Sequence, residues 1–173
     1  PPAKHPWTDE AALMRHPFQR DEAEERERVR GPALRPKDAA VLVLVRRERG
    51  IVRVLMGERS RRHVFLPGRL VFPGGRVEAA DQRLAVETDF RPEVRTRVAA
   101  GIGIARARAL GLAAIRETFE EAGLLVGTHG RAAPRTRSET WRRFFAQGVL
   151  PRLESLDFVA RAITPPGSPR RFD

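Results

Sequence analysis

Two runs of aliphatic and β-branched residues, Asp38 to Arg46 (DAAVLVLVR) and Ile51 to Met56, flank Arg49-Gly50, and this pattern predicts a two-stranded hairpin. A third apolar stretch, Leu70 to Phe72, reads as a strand end running into a tight turn at Pro73-Gly74-Gly75, where bare backbone approaches whatever binds there. Pro92 to Ala100 and Ile104 to Ala109 predict helices broken at Gly101-Ile102-Gly103, the second continuous with the segment Arg116 to Leu124. Gly101 and Gly103 are too few for a dinucleotide fingerprint and follow no strand. Ser138 to Ala146 predicts a helix capped by Ser138, and Leu156 to Ile163 a strand. Trp141, Phe144 and Phe145, at helical spacing, read as core rather than as a base-stacking platform. Residues 1–36 lack apolar periodicity; Arg20 to Arg30 (RDEAEERERVR) suits a surface helix and a mobile arm equally. The chain thus divides into a charged arm, 1–36, and a folded domain, 37–173.

The most informative positions are polar ones. In Arg116-Glu117-Thr118-Phe119-Glu120-Glu121-Ala122-Gly123-Leu124, a helix of about 100° per residue puts Glu117, Glu120 and Glu121 within an arc of roughly 100°. Ile115, Phe119, Ala122 and Val126 fall on the opposite side, so one face is expected to be core and the other chemistry. Three carboxylates this close repel one another, and a divalent cation would reverse the sign. Arg116, four residues before Glu120, is expected to fix that carboxylate. Gly123 supplies the left-handed residue that ends a helix. Charge runs of this kind are usually solvated faces, so the context has to decide.

That context is Val71-Phe72-Pro73-Gly74-Gly75-Arg76-Val77-Glu78-Ala79-Ala80-Asp81. Together the two segments resemble the signature of the Nudix hydrolases, G-x5-E-x7-R-E-U-x-E-E-x-G-U with U a bulky aliphatic residue. Gly75 stands at the opening glycine, Asp81 at the first acidic position, and Arg116 to Leu124 supply the rest. There are two departures: 34 residues separate Asp81 from Arg116, an insertion of 27, and Thr118 replaces an aliphatic side chain. Both recur in the peroxisomal-type coenzyme A and acyl-coenzyme A diphosphatases and their bacterial relatives. That branch also carries R-S-x3-R-x3-G-x3-F-P-G-G, which Arg59-Ser60, Gly68 and Phe72-Pro73-Gly74-Gly75 match, with Val64 in place of the second arginine.

The resemblance implies an α/β/α sandwich with a mixed β-sheet and a helical insertion, at about 82–111, inside the box. It implies hydrolysis of a diphosphate linkage in a nucleoside diphosphate derivative, with Mg²⁺ or Mn²⁺ as cofactor. Glu117 and Glu121 are then principal metal ligands, Glu120 a ligand or water-orienting group, and the Gly75 carbonyl a further ligand. Arg116 orients Glu120; the base in several related enzymes is a glutamate of a later loop, here expected past Asp173, and Glu117 is the other candidate if it does not bind metal. Arg59, Gly74, Gly75 and Arg76 are the substrate-binding candidates, with His63 another group for an outer phosphate. In the related enzymes a proline-rich turn like Pro165 to Asp173 leads into further strands and a helix, so the fold is expected to continue past Asp173. The leading substrate is coenzyme A or acyl-coenzyme A. ADP-ribose, a dinucleotide or capped RNA is the alternative, and an inactive binding module of the same fold a third. The oligomeric state stays open, a homodimer included.

Composition changes this picture little. A 173-residue chain with 41% hydrophobic residues can bury a core. The absence of cysteine rules out disulfides and thiolate catalysis. No apolar run approaches membrane-spanning length and no signal pattern opens the chain, which leads to a soluble, cytoplasmic expectation without a membrane partner. The net charge of +11, almost all from arginine, favours polyanionic ligands but equally suits an arginine-rich proteome. With 6% aromatics and no interleaved stacking residues, it argues against a dedicated nucleic-acid binder.

Overall fold

The computed structural model describes residues 34–59, 68–130, 132–166, 168 and 170–173. The predicted helix or arm at Arg20 to Arg30 lies outside them, as do Ser60, Arg61, Arg62, His63 and Val64.

The chain is α/β, as expected. Its elements in order are β1 (Ala39–Val41), β2 (Val45–Glu48), β3 (Ile51–Val54), β4 (Gly57–Glu58), β5 (Leu70–Val71), β6 (Gly74–Arg76), α1 (Ala79–Arg83), α2 (Pro92–Val98), α3 (Ile104–Ala122), β7 (Gly127–His129), α4 (Glu139–Phe145), β8 (Val149–Pro151) and a 3-10 turn, Leu153–Ser155. Among the described residues the strands form four antiparallel pairs, β1 with β6, β2 with β3, β4 with β5 and β7 with β8. A parallel bridge joins Lys37 to Phe172.

The hairpin forms where the sequence places it, with Val45 opposite Val54 and Glu48 opposite Ile51. The apolar run before it is not one strand, however. It divides into β1, which pairs with β6, and β2, which pairs with β3. Leu42, in the break, donates its N–H to the Pro73 carbonyl at 2.8 Å. The glycine segment also differs from the predicted turn. Gly74 and Gly75 lie within β6, opposite Val41 and Ala40. Their side chains are absent for want of space: a Cβ on Gly74 would sit 2.4 Å from the Ala40 carbonyl oxygen.

Both predicted helices flanking Gly101-Ile102-Gly103 are present, and α3 runs unbroken from Ile104 into the carboxylate segment. It stops at Gly123, whose φ of 67° is left-handed and whose N–H bonds back to the Phe119 carbonyl at 2.9 Å. The predicted core side of the helix needs one correction, since Ala122 is exposed while Thr118 is fully buried. Thr118 tolerates burial because its hydroxyl donates to the Ala114 carbonyl at 2.8 Å.

α3 is covered by Leu84, Phe90 and Val94 from the segment before it, and by Trp141, Phe144, Val149, Leu153 and Leu156 from the segment after it. Ser138 caps α4 as expected, accepting from the Trp141 N–H at 3.4 Å, and Trp141 and Phe144 are wholly buried. The rings meet edge to face, Phe119 on Phe144 at 5.4 Å and Trp141 on Phe144 at 5.3 Å. The strand expected at Leu156 to Ile163 does not form. Leu156 is core, and the Phe158 carbonyl is taken by the Arg97 guanidinium at 3.0 Å rather than by a neighbouring strand. The pair β7 and β8 was not anticipated; Gly127-Thr128-His129 carries no apolar alternation to announce it.

Candidate functional site

The site is built around one buried guanidinium. Arg116 is 1% exposed and reaches out from α3 between α1 and β6. Its Nε donates to Asp81 Oδ1 at 3.0 Å and its Nη2 to Asp81 Oδ2 at 3.0 Å, a two-point carboxylate pair. Nη2 also donates to the Arg76 carbonyl at 2.8 Å. Nη1 faces the other way, donating to Glu117 Oε1 at 2.9 Å and Glu120 Oε2 at 3.2 Å. Arg116 therefore bonds to Glu120, and more closely to Glu117, while Asp81 holds the guanidinium from the other side. Arg116 stays charged, its pKa pushed above normal, because the bonds to Asp81 and then Glu117 outweigh the opposing desolvation.

Asp81 is itself buried, 1% exposed, and its two oxygens are filled. Besides Arg116, it accepts from the Glu78 N–H at 2.9 Å, which closes the first turn of α1, and from the Trp141 indole N–H at 2.9 Å. The sequence placed Asp81 at the first acidic position of the box without giving it a task. Its surroundings make it a structural anion, saturated by donors. The Trp141 bond had only an indirect signal: a core tryptophan needs an acceptor for its N–H.

The carboxylate face follows from this clamp. Glu117 is half-buried against β6, and a Cβ on Gly75 would fall 2.3 Å from Glu117 Oε1. Only glycine leaves that cradle open. Burial pushes the Glu117 carboxyl above the usual range, overcoming the attraction of Arg116, and the like charges of Glu120 and Glu121 push the same way. Glu121 is exposed and its Oε2 accepts from the Gly74 N–H at 3.1 Å. Glu120 lies at the surface on the same helical face. The structure thus brings Gly74, Gly75, Arg76, Arg116, Glu117, Glu120 and Glu121 together, with Arg76 contributing its carbonyl while its side chain is exposed. Arg59 follows β4, its N–H bonded to the Arg69 carbonyl and its carbonyl to the Gly68 N–H, both at 2.9 Å. His63 lies outside the described residues.

Among the described residues, no three His, Cys, Asp or Glu side chains converge on a point that would hold a metal in this conformation. The donor set nonetheless suits a hard divalent cation. It consists only of oxygens, and three carboxylates bond to a single buried guanidinium with Glu121 beside them on the Gly74 N–H, which leaves a negative excess. Gly75 leaves Glu117 unhindered, and Glu120 and Glu121 sit at the surface where their side chains can turn. Glu117, Glu120 and Glu121, with the Gly75 carbonyl, are the groups that could hold such an ion.

Among solved structures the chain matches a NUDIX hydrolase from Alicyclobacillus acidocaldarius, with 27% identity and a TM-score of 0.60 over 80% of this chain and 67% of that one. No protein-family model matches the chain, and no curated protein matches it. The likeness shows the Nudix fold and supports a Nudix-family hydrolase. Among the described residues, no helix is long and apolar enough to cross a membrane.

Proposed function

We propose that this Nudix-fold chain is a divalent-cation-dependent hydrolase cleaving a diphosphate linkage in a nucleoside diphosphate derivative, with coenzyme A or acyl-coenzyme A as its substrate. The observation that carries this reading is the close seating of Glu117 beside Gly75, beneath a guanidinium locked by Asp81. Such a locked carboxylate would act from a fixed position, and fixed charge near a diphosphate is where catalysis of this kind gains most.

A bound Mg²⁺ or Mn²⁺ supplies neutralisation of charge on the phosphoryl oxygens and a more acidic coordinated water. In this reading Glu117 and Glu121 are the principal ligands, with Glu120 a ligand or water-orienting group and Gly75 contributing its carbonyl. Arg116 holds Glu117 and Glu120 at a set spacing through its Nη1. The raised proton affinity of Glu117 suits it to receive a proton from the attacking water where it is not itself a ligand. The water oxygen then bonds to one phosphorus of the linkage while the bridging oxygen leaves with the other phosphate. From coenzyme A this gives adenosine 3′,5′-bisphosphate and phosphopantetheine. Gly74, Gly75 and Arg76 border the carboxylates and line the substrate's approach, with Arg59 upstream.

Val64, in place of an arginine of the coenzyme A pattern, favours a second reading, the same chemistry on ADP-ribose, a dinucleotide or capped RNA. The three retained glutamates argue against an inactive binding module. A substrate panel with Mg²⁺, repeated after chelation, decides among them. Chelator-sensitive cleavage of coenzyme A or its acyl esters is expected. Rapid ADP-ribose cleavage with none of coenzyme A would overturn the substrate choice, and no cleavage of any diphosphate would overturn the enzymatic reading.

A further inference from the structure

Trp141 is wholly buried on α4 among aromatic rings, and the one polar atom of its side chain donates to Asp81 at 2.9 Å. Asp81, on α1, accepts from Arg116, on α3, at two points, and Arg116 in turn holds Glu117 and Glu120. Trp141, Asp81 and Arg116 are each 1% exposed or less, so no water competes for these bonds. We propose that Trp141 is a positioning residue, its indole N–H fixing the Asp81 carboxylate and, through Arg116, the Glu117 and Glu120 carboxylates. This rests on the reading of those glutamates as the catalytic metal site.

The geometry explains why the buried ring at this position needs a donor. Asp81 accepts donors from three directions: the Glu78 N–H from its own turn, Arg116 from α3, and the indole from α4. Oδ1 is shared by the indole and Arg116 Nε. Without the indole, the carboxylate can rotate on the remaining bonds, and the guanidinium, bound at two points, turns with it. The end of that lever is the Nη1 group that spaces the two glutamates.

Trp141→Phe in the full chain removes the donor together with part of the buried ring, so its effect includes a cavity as well as the lost bond. It should lower kcat and the affinity for Mn²⁺, the latter measured without substrate by electron paramagnetic resonance, by about 10- to 100-fold, the range for groups that support metal ligands. KM should stay within about twofold, because substrate contacts are untouched. A core variant that takes part in none of the relay's hydrogen bonds, Val149→Ala, chosen to give a comparable fall in melting temperature, should leave both quantities as in wild type. Benzothienylalanine at position 141, which replaces the N–H by sulfur at constant ring shape, should reproduce the phenylalanine effect and covers the case in which Trp141→Phe folds poorly. Wild-type kcat and Mn²⁺ affinity in the benzothienylalanine protein would overturn the positioning role while leaving the proposed function intact. A wild-type chain that neither binds Mn²⁺ nor cleaves any diphosphate would instead overturn the reading beneath it.

Discussion

Gly75→Ala is the sharpest test of the site, because one methyl group separates two interpretations of the glycine. If Gly75 served the backbone alone, alanine would be tolerated: it lies in β6, paired with Ala40, and its φ is not in the left-handed region. The structure instead puts the new Cβ 2.3 Å from Glu117 Oε1, 2.4 Å from Cδ and 2.7 Å from Oε2. Overpacking of this kind costs about 1–3 kcal/mol, while alanine restricts the unfolded chain and returns about 0.4–1 kcal/mol. Glu117 can also swing away, losing its 2.9 Å bond to Arg116 but regaining hydration, which its raised pKa says the charged form lacks. The net loss should therefore be about 1–2 kcal/mol, or roughly 2–8 °C in melting temperature for a domain of this size. Turnover should fall by more than about 10-fold, since the displaced group is the proposed ligand itself. Gly74→Ala makes the contrast: its Cβ meets the Ala40 carbonyl oxygen at 2.4 Å and Val41 Cα at 2.6 Å, backbone that cannot swing aside, so stability should suffer more. Calorimetry and steady-state rates on both variants read the two effects separately. A Gly75→Ala protein with the melting temperature and kcat of wild type would refute the argument.

Glu120→Gln and Glu121→Gln should each reduce kcat beyond the roughly 10- to 100-fold typical of supporting groups, with melting temperature nearly unchanged because both residues lie at the surface; near-wild-type rates in Mg²⁺ would remove them from the site. Glu117→Gln should abolish turnover and yet stabilise the metal-free protein at neutral pH. With its folded pKa raised, chiefly by burial, the Glu117 contribution is present at acid pH and lost as pH rises through the folded value, so the melting difference measured in chelator should vanish in acid. Asp173 has the opposite sign. Its bonds to Arg161 and then Arg106 hold its pKa at about 2 against 3.8, so its contribution is full above the unfolded value and disappears as pH falls from 3.8 toward 2; Asp173→Asn should flatten acid unfolding in that window, and an unchanged acid profile would sink the assignment.

The carboxylate helix was legible because everything that defines it is local. Periodicity sets Glu117, Glu120 and Glu121 on one face, Arg116 is one turn from Glu120, and Gly123 marks the end. The departures arise where identity depends on a partner far along the chain. Gly74 and Gly75 carry the composition of a turn, but β1 lies 2.4 Å from a would-be Cβ, and pairing overrides the weak strand preference of glycine. Asp38 to Arg46 reads as one strand by composition, and divides because its two ends find different partners, β6 and β3. Leu156 to Ile163 has the composition of a strand and gains none; no strand pairs with it among the described residues, and its Phe158 carbonyl is taken by the Arg97 side chain.

The same logic accounts for what was missed in the site itself. Thr118, a departure from the aliphatic pattern, has its hydroxyl satisfied within its own helix by the Ala114 carbonyl. Asp81 and Trp141 stand 60 residues apart, and no spacing rule links an acid after a glycine loop to an aromatic on a later helix. What does link them is the cost of burial: a fully buried carboxylate must be filled with donors, a buried indole N–H must find an acceptor, and few such partners exist in a core this apolar. The guanidinium between Asp81 and Glu117 then has one orientation that satisfies all of its bonds. A site whose surface carboxylates can turn is thereby fixed from below by groups that cannot.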